Sequence, residues 1–187
     1  LSFEQNEERI RKEKGYSIET TPLEPVKTSD RQTFTYEDGK NAQDTSGAYL
    51  EFTLHFMAAK DMIVHLTSAN SESGAEDGTA VMSENNALPA SMRISFTADG
   101  TTWIYDPGME GTSTTEGSAK TFGLPGADAM NINNDNAMFS LKEGVNKEVK
   151  VHIWMEGTDP ACTDELKGSD YSIRLRFTGD KTDEQNS

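Results

Sequence analysis

Asp128, Asn131, Asn133 and Asp135 crowd oxygen-bearing side chains into one short stretch, and Glu72, Glu76 and Asp77 do the same farther upstream. Clustered carboxylates and amides of this kind are what a hard cation needs, since calcium takes about six to eight oxygen ligands. The full D-x-[DN]-x-[DN]-G pattern with its distal Glu is missing. The expectation at Asp128, Asn131, Asn133 and Asp135 is therefore either a surface calcium loop or simply a hydrated acidic one.

The softer ligands are sparser. His55, His65 and His152 all fall on the polar faces of predicted strands. His55 and His65 could face one another across a hairpin over residues 48–66 and, with an acidic neighbour, hold zinc. No HExxH, CxxC or His-x-His accompanies them, and the plainer expectation is solvated side chains. Cys162 has no His near it in sequence, and a thiol nucleophile needs a base and an oxyanion site. It reads as a small residue packed under a loop. Glu156 and Asp159 are close enough in EGTDP to suggest a glycosidase pair. With Trp154 the nearest aromatic, they read instead as acceptors for loop amides, Asp159 setting a turn before Pro160. Trp103 and Tyr105 share a strand face and could stack on a sugar, though core or interface is the commoner use. There is no GxSxG, no phosphate-binding glycine loop and no dinucleotide fingerprint, and GLPGADAM (123–130) reads as a turn. No enzyme is expected.

Something must position these residues, and the pattern that does so is period-2 alternation. Val149, Val151, Ile153 and Met155 alternate with Lys150, His152, Trp154 and Glu156. Tyr171, Ile173, Leu175 and Phe177 alternate with Ser172, Arg174, Arg176 and Thr178. Such runs predict half-buried strands, one face on a core and the other in water, and together they predict a final hairpin. The same pattern predicts strands at AYLEFTLHF (48–56), with Leu50, Phe52, Leu54 and Phe56 inward, and at DMIVHLTS. SMRISFT (91–97) follows, with Met92, Ile94 and Phe96 inward, then a tight turn at Asp99-Gly100 into TTWIYD. Shorter strands are expected at 31–36, around Val81 and at 137–141. Residues 67–90 and 107–135 read as two long polar loops. Residues 2–14 are rich in helix formers but too polar to hold a helix against a core.

About 8–10 short strands separated by turns predict an all-β antiparallel sandwich or jelly roll. The expected organisation is an N-terminal arm over 1–30, a sandwich over 31–179 and a polar tail over 180–187. Within the arm, Tyr16, Ile18, Leu23 and Val26 lie on an extended stretch, while Pro22 and Pro25 exclude a central strand position after them.

With 187 residues, 17 basic and 32 acidic side chains, the chain carries a net charge of −15. That balance disfavours nucleic acid, which needs clustered Lys and Arg. The single cysteine rules out an internal disulfide, and no apolar run of membrane-spanning length occurs. The chain begins at Leu1 rather than Met, which would fit removal of an export signal.

Three stretches, YLEFTLHFMAAKDMIVHLTS, ASMRISFTADGTTWIYDPG and VKVHIWMEGTDPACTDEL, with a closing strand ending RLRF, resemble a group of small exported proteins of Gram-positive anaerobes. The likeness covers roughly residues 47–178, and its most specific element runs from Ile153 to Cys162. These proteins are similar in design to the TasA/camelysin family of secreted jelly-roll proteins, which build extracellular and biofilm-matrix fibres. The resemblance implies a secreted, cell-surface structural subunit whose partner is another copy of itself, assembled head-to-tail by donor-strand complementation. Tyr16, Ile18, Leu23 and Val26 would then be the donor-strand residues. The protease label attached to camelysin does not carry over, because no residue here matches a protease centre. A separate expectation, from the loops alone, is a monomeric module binding glycan or host protein through 67–90 and 107–135.

Overall fold

The computed structural model describes residues 23–43, 47–66, 78–109, 113–123 and 137–181. They form an all-β domain with one large curled mixed sheet and two smaller sheets packed across a common core. Twelve strands are present among the described residues, more than the 8–10 expected, because several are only two to four residues long.

The centre of the large sheet is β10 (Lys147–Glu156). On one side it pairs antiparallel with β5 (Met92–Ala98), which turns at Asp99-Gly100 into β6 (Thr101–Tyr105). Asp99 and Gly100 take φ of 51° and 76°, the left-handed pair that a two-residue turn between twisted strands requires. Beyond β6 come β8 (Ala119–Phe122) and then β7 (Ser113–Glu116) at the rim. The chain reaches the outer position first and returns inward, so β8 runs parallel to β6. The expected irregular region 107–135 therefore contains a hairpin.

On its other side β10 pairs antiparallel with β2 (Tyr49–Phe56), from Lys147↔Phe56 to Trp154↔Tyr49. Where β2 stops, β1 (Pro25–Val26) takes over, running parallel to Met155 and Glu156. Two parallel pairings make the sheet mixed, not purely antiparallel as expected. Pro25, which has no N–H to donate, sits beside one neighbour strand among the described residues.

The second layer holds β9 (Ala137–Leu141), β3 (Met62–Leu66) and β12 (Phe177–Lys181), with β3 in the middle, and beside them the pair β4 (Ala80–Met82) and β11 (Ser172–Arg174). Leu66 pairs with Phe177 and Ala80 with Arg174, so β3 and β4 meet successive parts of one C-terminal run. Thr79 bridges the gap, its hydroxyl donating to the Arg176 carbonyl at 3.2 Å and accepting the Arg176 amide at 2.9 Å.

This arrangement corrects two expectations. Residues 147–178 are not a hairpin: β10 lies in the large sheet, and β11 and β12 lie in the other layer. Residues 48–66 are not one either, since β2 pairs with β10 and β3 with β9 and β12. Both connections are arches between layers, which period-2 patterning cannot distinguish from hairpins, because either one puts apolar rows into the same core.

Between the layers lie Met92, Ile94, Phe96, Val149, Val151, Ile153 and Met155 from the large sheet, facing Val64, Leu66, Phe139 and Leu141. Edge-on aromatic contacts join the layers, Phe56 to Phe139 and to Phe177 at 5.1 Å each, and Trp103 to Phe139 at 5.9 Å. Trp103 and Tyr105 are core residues.

Candidate functional site

The outer face of the large sheet was expected to meet water. It does so at Thr53, His55, Glu148 and Lys150, but over Tyr49, His152 and Trp154 residues 27–43 cross it as a strap. Asp30 shapes the first bend: its Oδ1 accepts the amides of Gln32 and Thr33 at 2.9 and 2.7 Å, and its Oδ2 the Thr33 hydroxyl at 2.8 Å. Burial alone would raise the Asp30 pKa, but the Thr33 and Gln32 amides and the Thr33 and Thr28 hydroxyls bring it down to about 2. The expected strand over 31–36 is replaced by bridges from Thr35 to Lys27 and to Asn41, the minimum that turns the strap back on itself. Phe34 is thereby pressed onto the sheet, stacked on Tyr49 at 4.3 Å and tilted against Trp154 at 5.3 Å and His152 at 5.4 Å. With Val26, Ala42, Ala48, Ile104 and Ala119 they make a second small core.

Two of the three histidines are not solvated, His152 because of the strap and His65 because of its place in the second layer. His152 is only 1% exposed, and its Nε2 lies 2.7 Å from Glu51 Oε2. Burial lowers its pKa, outweighing the opposing pull of the Glu51 carboxylate. The hydrogen bond from His152 in turn lowers the pKa of Glu51. His65 is 3% exposed and its Nε2 lies 3.0 Å from Asp180 Oδ2, at the junction of β3 and β12. Only His55 is exposed, near Asn146 and Glu148. His55 and His65 lie on strands of different layers and do not face one another. Among the described residues no group of three His, Cys, Asp or Glu side chains gathers as a metal site.

The EGTDP turn follows the hydrogen-bond reading. Glu156 accepts from the Thr158 amide at 3.1 Å and from Trp154 Nε1 at 3.0 Å, and Asp159 accepts the Ala161 amide at 2.8 Å. Asp159 also pairs with Arg93, whose Nε lies 3.2 Å from Asp106 Oδ2. Sequence reasoning missed this partly buried Arg93 bridge, because Arg93 and Asp159 are far apart along the chain. Burial raises the Asp106 pKa despite Arg93. Cys162 packs half-buried against the core. Burial first, and then the carboxylates of Asp159, Glu156 and Asp164, push its thiol pKa up, which keeps it protonated and a poor nucleophile.

The other notable surface is a sheet edge. β2 has β10 as its one strand partner among the described residues. Its inward row, Leu50, Phe52, Leu54 and Phe56, is only partly covered, while Glu51, Thr53 and His55 are exposed. A strand with one open flank and an incompletely buried apolar row can accept a further strand. Of the four expected donor residues, Leu23 and Val26 are described, and both are buried in this chain, Leu23 in the main core and Val26 in the strap core. Tyr16 and Ile18 lie outside the described residues, as do Asp128, Asn131, Asn133, Asp135, Glu72, Glu76 and Asp77. A shallow polar hollow lies elsewhere, lined by Ser83, Glu84, Asn85, Asn86, Ser169 and Asp170.

No protein-family model matches this chain, and neither a curated protein nor a solved structure matches it.

Proposed function

We propose that this protein is a secreted structural subunit of an extracellular filament or biofilm-matrix fibre. In this reading the sandwich is a jelly-roll variant related to the TasA/camelysin design, and each subunit completes the sheet of the next. The flank of β2 that no strand covers among the described residues, with its half-covered row of Leu50, Phe52, Leu54 and Phe56, carries the reading. Backbone hydrogen bonds along that flank would supply affinity, and the apolar row would receive alternate side chains of the incoming strand. The donor is the part of the arm preceding Leu23, with Tyr16 and Ile18 its apolar anchors, because Leu23 and Val26 are already committed to their own domain. A contact of this head-to-tail kind does not close on itself and so propagates. A net charge of −15 keeps free subunits apart until that contact forms.

The test is removal of residues 1–22, a boundary that leaves Leu23 and Val26 in place. Negative-stain images of the full chain should show fibres, and the shortened chain should be a folded monomer. Fibres that persist without residues 1–22 would refute arm donation.

A second reading, a monomeric surface module binding glycan or host protein through residues 67–90 and 107–135, draws support from the polar hollow at Ser83–Asn86. Globular particles from the full chain would favour it.

A further inference from the structure

His152 is buried beneath the strap with one ring nitrogen committed and the other orphaned. Nε2 pairs with Glu51, whereas Nδ1 has no hydrogen-bond partner among the described residues. With Nε2–H donating to the Glu51 carboxylate, Nδ1 carries only a lone pair, which is tolerable in an apolar wall. Protonation there would place a charged N–H with no acceptor against the rings of Phe34 and Tyr49, at 5.4 and 5.8 Å. Burying an unpaired donor on a charged ring is costly, and the strap's Phe34 is one of the two rings packed on this imidazole.

We propose that residues 27–43 form an acid-released strap, in which protonation of His152 at Nδ1 frees the segment from the large sheet and uncovers Tyr49, Ile104 and Trp154. This inference is independent of filament assembly. The charged groups facing His152 are few. Glu51 on β2 favours the imidazolium, as does Asp30 in the strap more weakly, while Lys150 on β10 opposes it. Lys150 Nζ is also 3.4 Å from Glu51 Oε1, so part of the carboxylate's pull is spent on it. Burial dominates this set, and the neutral ring is the form the closed strap holds.

The sign follows from linkage. The closed strap holds His152 with a pKa lowered by burial, and the open strap, where water relieves that burial while Glu51 stays beside the ring, with a higher one. Closure is therefore fully favoured above the open-state value and weakens as the pH falls through the interval between the two. One proton is taken up on opening, so the open fraction grows by roughly tenfold per pH unit across that interval.

Hydrogen exchange of the full chain at about pH 7.5 and about pH 5 tests this in the range where histidine titrates. The readout is the strap amides of Lys27, Thr35 and Ala42, which are bonded to Thr35, Lys27 and Phe34 carbonyls. After correction for intrinsic rates, these should lose protection in acid while Phe96 and Ile104 in β5 and β6 keep theirs. His152→Gln should flatten the acid dependence. Unchanged strap protection, equal loss in β5 and β6, or the same dependence in a folded His152→Gln would overturn the proposal. A direct imidazole titration of His152 by NMR in the unaltered chain decides independently of any variant. A midpoint below 6.5 supports the strap switch, and one at or above it refutes it.

Discussion

Gly157 donates its amide to the carbonyl of Val26 across 2.8 Å, and a β-carbon on Gly157 would meet that same oxygen at 3.3 Å and Pro25 Cβ at 3.4 Å. The entering chain is thus laid directly over the turn that follows β10, at a place where only a hydrogen atom fits comfortably. Gly157→Val should prise β1 away and lower stability by about 2 kcal/mol, as overpacking does. Urea unfolding would show this as a lower midpoint with an unchanged slope.

Among the described residues Arg93 is the one cation paired with both Asp106 and Asp159. Arg93→Met would strand two carboxylates near one another at the end of the sheet, at a cost of about 3 kcal/mol near neutral pH. Asp106 already binds its proton more tightly in the folded state than an ordinary aspartate. Removing Arg93 strengthens that tendency, so the folded variant holds more protons than the unfolded one as the pH falls toward 4. The deficit should shrink on mild acidification, measurable as converging Tm values for variant and parent. A deficit that grows in acid would contradict the assignment.

Asp30 makes the opposite prediction in a lower range. Its folded pKa of about 2 lies below the ordinary 3.8, so its contribution is present above 3.8 and disappears as the pH falls through 2. Asp30→Ala should destabilise the strap at neutral pH, with the difference from the parent chain closing between those two values. A series of proteolysis rates at the strap would separate this step from any event near the histidine range.

Gly100 needs φ of 76° and has open space around its α-carbon. The cost of Gly100→Ala is therefore conformational only, about 1 kcal/mol. Thermal unfolding should register it as a small loss with no change in the β5–β6 pairing.

Much of the architecture was legible in the residues. The inward rows of β5 and β10, the Asp99-Gly100 turn, the short strand at Val81 and the roles of Glu156 and Asp159 all follow from period-2 patterning and turn chemistry. What was not legible depends on which elements become neighbours. Period 2 says that Val151 and His152 point to opposite faces, but not that Phe34, far away in the chain, covers the second face. His152 and Trp154 looked solvated because polar and aromatic residues alternate with aliphatic ones on either a wet or a covered sheet. The same blindness hid the Arg93 bridge and turned two interlayer arches into hairpins. At the proposed edge, the apolar row of β2 was readable, but its having one partner strand among the described residues was not.

The division of labour between β3 and β4 has an evolutionary consequence. Both dock on the one C-terminal run, with Thr79 locking to Arg176 just where the chain rejoins it. The register of the run is thereby set on each side of Thr79 separately, by Leu66↔Phe177 and by Ala80↔Arg174. A change in β3 that loosens Leu66↔Phe177 therefore leaves Ala80↔Arg174 in place, and a change in β4 leaves Leu66↔Phe177. The C-terminal run is thus secured twice over, and either half can vary while the other holds the second layer together.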